Sequence, residues 1–123
     1  MQSLKGDRPW DIHKPILGFW GRCEDYVIDI IEDLNHHVSA WIDWNLILNE
    51  EGGPNYAGNN VDSPIVANES EIYKQPTFYA MGHFSRFILA DSIRVFAKSS
   101  HKFIKSTGFL RPDGYMAVVL YNL

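Results

Sequence analysis

Apolar and polar positions repeat with different periods along this chain, and each change of period marks an element. From about Glu24 to Val38 the apolar positions Val27, Ile30, Ile31, Leu34 and Val38 fall on one face of a helix. Glu24, Asp25, Asp29, Glu32 and Asp33 sit largely between them as a solvated acidic face, and the early ones suit a helix N-terminus. Ala40 to Leu48 is a short apolar run bounded by turn residues, so it predicts a buried strand. A buried parallel strand is almost continuously apolar, which makes Asp43 and Asn45 anomalies that need partners or a task.

A long loop follows, Asn49 to about Glu69, rich in Asn and Gly. Loops of that length are usually functional or disordered. Gln75-Pro76 then opens a second helix, with Pro near its first position. Ala80, Phe84, Phe87 and Ile88 supply its buried face, and His83 reads as a packing histidine. From Ile93 the period drops to two, with Ile93, Val95 and Ala97 alternating with Arg94 and Phe96. Phe103 to Leu110 is a weaker strand. Arg111-Pro112-Asp113-Gly114 is a turn, and Met116 to Leu120 is strongly β-prone. Helices first and strands later predict two structural units, divided near Leu89–Ser92. Met1 to Lys14 reads as loop, with Trp10 as a packing residue.

Composition narrows the classes. The chain has 123 residues, 46% of them hydrophobic and 21% charged, as in an ordinary globular chain of one modest domain. The net charge of −4 gives no electrostatic support for a nucleic-acid partner. Cys23 is the single cysteine, so no internal disulfide forms. No apolar run approaches the ~20 residues that span a bilayer. The first residues, MQSLKGDRPWD, lack the apolar core of a signal peptide. His36 and His37 are adjacent and there is no HExxH or Cys/His cluster, so neither metal nor cofactor is implied.

Five ordered segments carry a resemblance: WIDWNL (Trp41–Leu46), EGGPN (Glu51–Asn55), NNVDSPI (Asn59–Ile65), YKQPTFYAMGHFSRFI (Tyr73–Ile88) and RPDGYMAVVL (Arg111–Leu120). In this order and near this spacing they resemble the C-terminal part of the lysosomal glucosylceramidases, the acid β-glucosidases of glycoside hydrolase family 30. The resemblance runs from about Leu17 to Asn122. It implies an α/β fold, a C-terminal fragment of a (β/α)8 TIM barrel (1–89) followed by part of an all-β sandwich domain (90–123). The expected start of a lysosomal enzyme is a signal peptide, so the resemblance also implies that this is not the start of the full protein.

In a (β/α)8 barrel the active site lies at the C-terminal ends of the strands and in the loops beyond them. If Ala40–Leu48 is the last barrel strand, Trp44, Asn45 and the Asn49–Glu69 loop lie there. A tryptophan face suits the apolar face of a sugar ring, and asparagine amides both donate to and accept from its hydroxyls. The resemblance implies that Trp44 and Asn59 line the glucose pocket and that Val61 sits at its rim. Core packing for Trp44 and a turn for Asn59 are the competing readings, and Asn45 stands between structural hydrogen bonding and the site.

A retaining glycosidase needs two carboxyl groups roughly 5 Å apart, an acid/base and a nucleophile. In the family both are glutamates on earlier strands, so no catalytic residue is expected in this chain. Glu50 and Glu51 are adjacent in a loop and are poor substitutes. The parent activity implied is hydrolysis of glucosylceramide to glucose and ceramide in the lysosome. The partners implied are that glycolipid, a membrane surface bearing anionic lipids, and a saposin-type activator. Asn68-Glu69-Ser70 is an N-glycosylation sequon in a predicted loop. The alternatives are a non-catalytic remnant that binds sugar or a partner protein, and a fragment with no function of its own.

Overall fold

The computed structural model describes residues 15–54, 56 and 60–123. The expected loop Met1–Lys14, with Trp10, lies outside them. In chain order the elements are α1 (Trp20–Asn35), β1 (Ile47–Leu48), β2 (Ile65–Ala67), β3 (Ile72–Lys74), α2 (Pro76–Ser85), β4 (Ile93–Val95), β5 (Ile104–Leu110) and β6 (Met116–Asn122). They form two units. One takes the residues up to Asp25 together with Ile42–Tyr79, and the other takes Tyr26–Trp41 with Ala80–Leu123.

α1 begins earlier than the periodicity from Val27 suggests. Arg22, Cys23 and Tyr26 are all buried and continue the inner stripe backwards through Trp20's first turn. At the other end the helix stops before Val38. His37 adopts the left-handed conformation, φ 64°. The Val38 N–H donates to the Asp33 carbonyl at 3.1 Å and the His37 N–H to the Leu34 carbonyl at 3.2 Å. This is a Schellman close, and it turns Val38 out of the helix face it was expected to share.

The expected buried strand over Ala40–Leu48 is corrected by the structure. Only Ile47–Leu48 forms a strand, pairing in parallel with β2 through Ile47↔Ile65 and Leu48↔Val66. Leu48 is buried, but Ile42, Trp44 and Leu46 are 75%, 56% and 68% exposed. A parallel strand is covered only when sheet neighbours and layers flank it. Among the described residues β1 is the edge of its sheet, order β1-β2-β3, so its apolar approach lies open.

The expected Asn49–Glu69 loop is also shorter than its sequence suggests. Ile65–Ala67 is the central strand of this sheet and pairs antiparallel with β3, with Val66 opposite Tyr73 and fully buried. Three-residue strands are too short to display a period, which is why β2 and β3 were not separable from loop.

In the second unit the β4-β5-β6 sheet is antiparallel, with Ile93↔Leu110↔Met116 and Val95↔Gly108↔Val118 as rungs. Its inner face carries Phe109, Ala117, Val119 and Tyr121. Val119 and Tyr121 pack on a core of Ile30, Ile31 and Phe84, joined by Val27, Leu34, Met81 and Ile88. Trp41 joins the same core, its ring set edge-on to Tyr26 at 5.2 Å and its N–H donating to Asp29 Oδ2 at 2.9 Å. Gly108 fits because a Cβ there would stand 3.0 Å from the Ala97 Cβ. Gly114, at φ 85°, closes the β5–β6 turn, and its N–H donates to the Arg111 carbonyl at 3.0 Å. Phe87 lies beyond the end of α2 and is exposed, as is His83, so neither takes the buried place expected for it.

Candidate functional site

The loop after β1 is built by its own backbone. The Asn49 N–H donates to the Gly53 carbonyl at 2.7 Å, and Asn49 Oδ1 accepts from the Gly53 and Glu51 N–H groups at 2.8 and 3.1 Å. The Gly53-Pro54 peptide is cis. Gly52 has φ 81°, and a Cβ there would lie 2.6 Å from the Val61 carbonyl oxygen. Only glycine allows that approach. The close contact folds the far end of the loop onto its start, and Val61 is 2% exposed in that fold.

Beyond Val61 the chain enters a buried polar cluster. Arg22 and Asp62 form an ion pair whose side chains are 7% and 9% exposed. Asp62 Oδ1 also accepts from Gln75 Nε2 at 3.1 Å and from the Ser63 N–H at 2.9 Å. Gln75 is itself buried. Its Oε1 accepts from the Gly18 N–H at 2.8 Å, and its Nε2 donates to the Ile16 carbonyl at 3.3 Å. A buried charge is tolerable when it is paired and its remaining lone pairs are filled, and here both conditions hold. The cluster fixes three things together: the entry to α1, the loop at Asp62 and the start of α2.

Sequence reasoning passed over this cluster. A signal was available, because Arg22, Tyr26 and Ile30 stand at i, i+4 and i+8 on the apolar stripe of α1. A charge on that stripe asks for a buried partner. Which acid answers it is a matter of tertiary structure.

Of the expected site residues, Trp44, Asn45 and Val61 fall in the same unit. Trp44 and Asn45 are adjacent on the approach to β1. Trp44 presents more than half of its surface, while Asn45 is half-buried and its Nδ2 is buried without a hydrogen-bond partner among the described residues. Val61 sits against the Gly52 backbone rather than in contact with solvent. Asn59 lies outside the described residues.

Glu50 and Glu51 are exposed on the turn after β1. The Asn-Glu dipeptides Asn49-Glu50 and Asn68-Glu69 both lie in such surface turns. Asn68 Nδ2 donates to Glu50 Oε1 at 3.1 Å, so the two turns touch. Asn68 is exposed between β2 and β3, and its Oδ1 accepts from the Ser70 hydroxyl at 3.3 Å and from the Glu71 N–H at 2.8 Å. The described residues offer an aromatic face, an amide donor with no partner among them and a turn at Asn49–Gly53 held by its own hydrogen bonds, which suits binding of a hydroxylated ligand. Among the described residues there is no facing pair of carboxylates.

Comparison with known proteins identifies the family. Residues 2–88 match the Glycosyl hydrolase family 30 TIM-barrel domain. The chain is 52% identical over 113 residues to putative glucosylceramidase 3 of Caenorhabditis elegans, covering 89% of this chain and 22% of that protein. It is 48% identical over 124 aligned positions to the lysosomal acid glucosylceramidase of Mus musculus, covering 98% of this chain and 24% of that protein. The crystal structure of SrfJ from Salmonella typhimurium superposes with a TM-score of 0.84 at 29% identity, over 98% of this chain and 26% of that one. The chain thus spans roughly a quarter of the length of the relatives it matches.

Proposed function

The chain belongs to glycosyl hydrolase family 30, and from that premise we propose that it is the C-terminal piece of a glucosylceramidase-type retaining β-glucosidase. The parent reaction is hydrolysis of glucosylceramide to glucose and ceramide. Residues 1–89 are then the end of the barrel and 90–123 part of the β-sandwich. Identity to the mouse lysosomal enzyme along 98% of this chain is the observation that carries the reading. The lysosome, a membrane surface and a saposin-type activator come with it as parts of the same proposal.

On this reading Trp44, Asn45, Asn59 and Val61 serve the sugar. Trp44 offers a ring face to the C–H side of glucose, and the unpartnered Asn45 Nδ2 is a donor that a substrate hydroxyl satisfies. Val61, packed on Gly52, sets the shape of the loop that carries Asn59. The acid/base and nucleophile belong to earlier strands, so the 123 residues alone bind without turning over.

A fluorogenic β-glucoside and a glucose-mimicking iminosugar test this together. The expected result is no turnover above a Glu50→Gln/Glu51→Gln control, with saturable iminosugar binding that Trp44→Ala abolishes. Turnover above that control overturns the assignment of the acids. Absence of binding overturns the role of Trp44 and leaves the chain without a sugar site of its own.

The sequon at Asn68 is part of the same proposal. Its side chain is exposed, and the Ser70 hydroxyl lies against its Oδ1. Expression through a secretory route should add one N-glycan, seen as a mass loss on glycosidase treatment and absent in Asn68→Gln.

A further inference from the structure

Two polar groups without partners stand close in sequence where the chain enters β4. Ser92 Oγ and Arg94 Nε are buried, and neither has a hydrogen-bond partner among the described residues. Residues two apart along a strand share a face, and the Arg94↔Phe109 rung makes it the face that packs on α1.

The Arg94 guanidinium is placed by a chain of bonds. Asn35, the last residue of α1, donates through Nδ2 to the Ser106 carbonyl at 3.0 Å and accepts at Oδ1 from Arg94 Nη2 at 3.3 Å. No carboxylate pairs with Arg94 among the described residues. A half-buried, permanently charged group therefore has a neutral acceptor and no counter-charge, although such groups are normally paired.

Ser92 and Arg94 both line a hollow of about 440 Å³, with Leu34, Ile88 and Phe109 as its apolar wall. That volume lies in the range of small-molecule sites, which combine an apolar lining with a few placed polar groups. Asp91 is the one acid on the wall, and it is exposed.

These features select the chemistry of a ligand. A guanidinium only donates and a serine hydroxyl can also donate, so a single acceptor group serves both. Water brings an oxygen but no charge. A carboxylate brings two oxygens in one plane and the missing charge, which is the geometry a guanidinium fork takes up. A phosphate dianion would bring a second negative charge toward Asp91. The apolar wall is matched by a hydrocarbon body behind the carboxylate.

We propose that this hollow, between β4, the end of α1 and the residues after α2, binds a small monocarboxylate with an apolar body, held by Arg94 and Ser92. Its residues all belong to the unit that contains neither Trp44 nor Asn45, so the site does not depend on the sugar-binding reading.

The 123-residue chain is titrated with hexanoate while the Arg94 Nε–H and Ser92 amide signals are followed by NMR. Acetate, 1-hexanol and inorganic phosphate are titrated beside it at the same ionic strength. The expected result is a saturable shift of both signals with hexanoate. Acetate lacks the apolar body and hexanol the charge, so each should bind at least about tenfold more weakly. Phosphate should be weaker as well.

Arg94→Gln should weaken hexanoate binding about tenfold or more, read at the Ser92 amide. Ser92→Ala removes no charge and should weaken it about threefold, read at the Arg94 Nε–H. Lys74→Gln, a charge lost from the other unit, should leave it unchanged. No saturable shift of the Arg94 Nε–H in the unaltered chain overturns the site, as does undiminished affinity in the Ser92 and Arg94 variants. Hexanol or phosphate binding as tightly as hexanoate overturns the choice of a monocarboxylate.

Discussion

At the scale of single residues, the Arg22–Asp62 pair decides how the loop beyond β1 is held. Both partners are almost completely buried, and Asp62 also receives donors from Gln75 and Ser63. Removing one member of such a pair leaves the other charge in the interior, at a cost of about 3–5 kcal/mol. Asp62→Ala should therefore leave little folded population even without urea. Arg22→Met/Asp62→Leu should recover most of the loss, because no charge then remains to be desolvated. A double variant as unstable as the single one would mean that Gln75 and Ser63, rather than the ion pair, hold the loop. Gly52 works at the same scale through sterics. Any side chain there meets the Val61 carbonyl, so Gly52→Ala should disturb the loop without touching the charge cluster.

At the scale of elements, the β4-β5-β6 sheet has one covered face and one open face. Val119 packs on the helical core, while its neighbour Val118 is exposed, as are Ile93, Met116 and Leu120 on the same side. Strand residues alternate between faces, so a lysine at these two adjacent positions has opposite consequences. Val119→Lys should destabilise by about 2–3 kcal/mol by burying a charge. Val118→Lys should leave stability within about 0.5 kcal/mol and reduce binding of a hydrophobic dye. Equal losses from both would mean that the open face is covered in solution. The legibility of the elements in the sequence follows the same physics. α2, β6 and the Arg111–Gly114 turn could be read because their signals are local: a proline, a glycine, a β-prone run. β1 could not be read correctly, because burial of Trp44 and Ile42 depends on what flanks an edge strand, and a run of apolar letters does not encode that. β2 and β3 gave too few residues for any period. Of the proposed site residues, Asn45 stood out with Asp43 as a polar anomaly in an apolar run and Trp44 was implied by the resemblance, whereas the place of Asp62 was not legible, since its partner lies in α1.

At the scale of the molecule, exposed large apolar side chains among the described residues outnumber those of the buried core. A small core leaves little free energy after chain entropy is counted, so the opening of either unit should be cheap. Cys23 offers a direct reading of this. Its thiol is buried in α1, and burial, with the Glu24 charge as a lesser cause, raises its pKa above the ordinary thiol value. Both effects suppress the thiolate, so the folded state should not react with a disulfide reagent at neutral pH. Modification then reports opening alone, and its rate relative to an unfolded reference gives the opening free energy. The expected value is about 2–4 kcal/mol, below the usual range for a domain. If the thiol instead stays protected to the extent of about 8 kcal/mol or more, the exposed apolar surface is not a deficit, and the 123 residues hold themselves together as a self-sufficient fold.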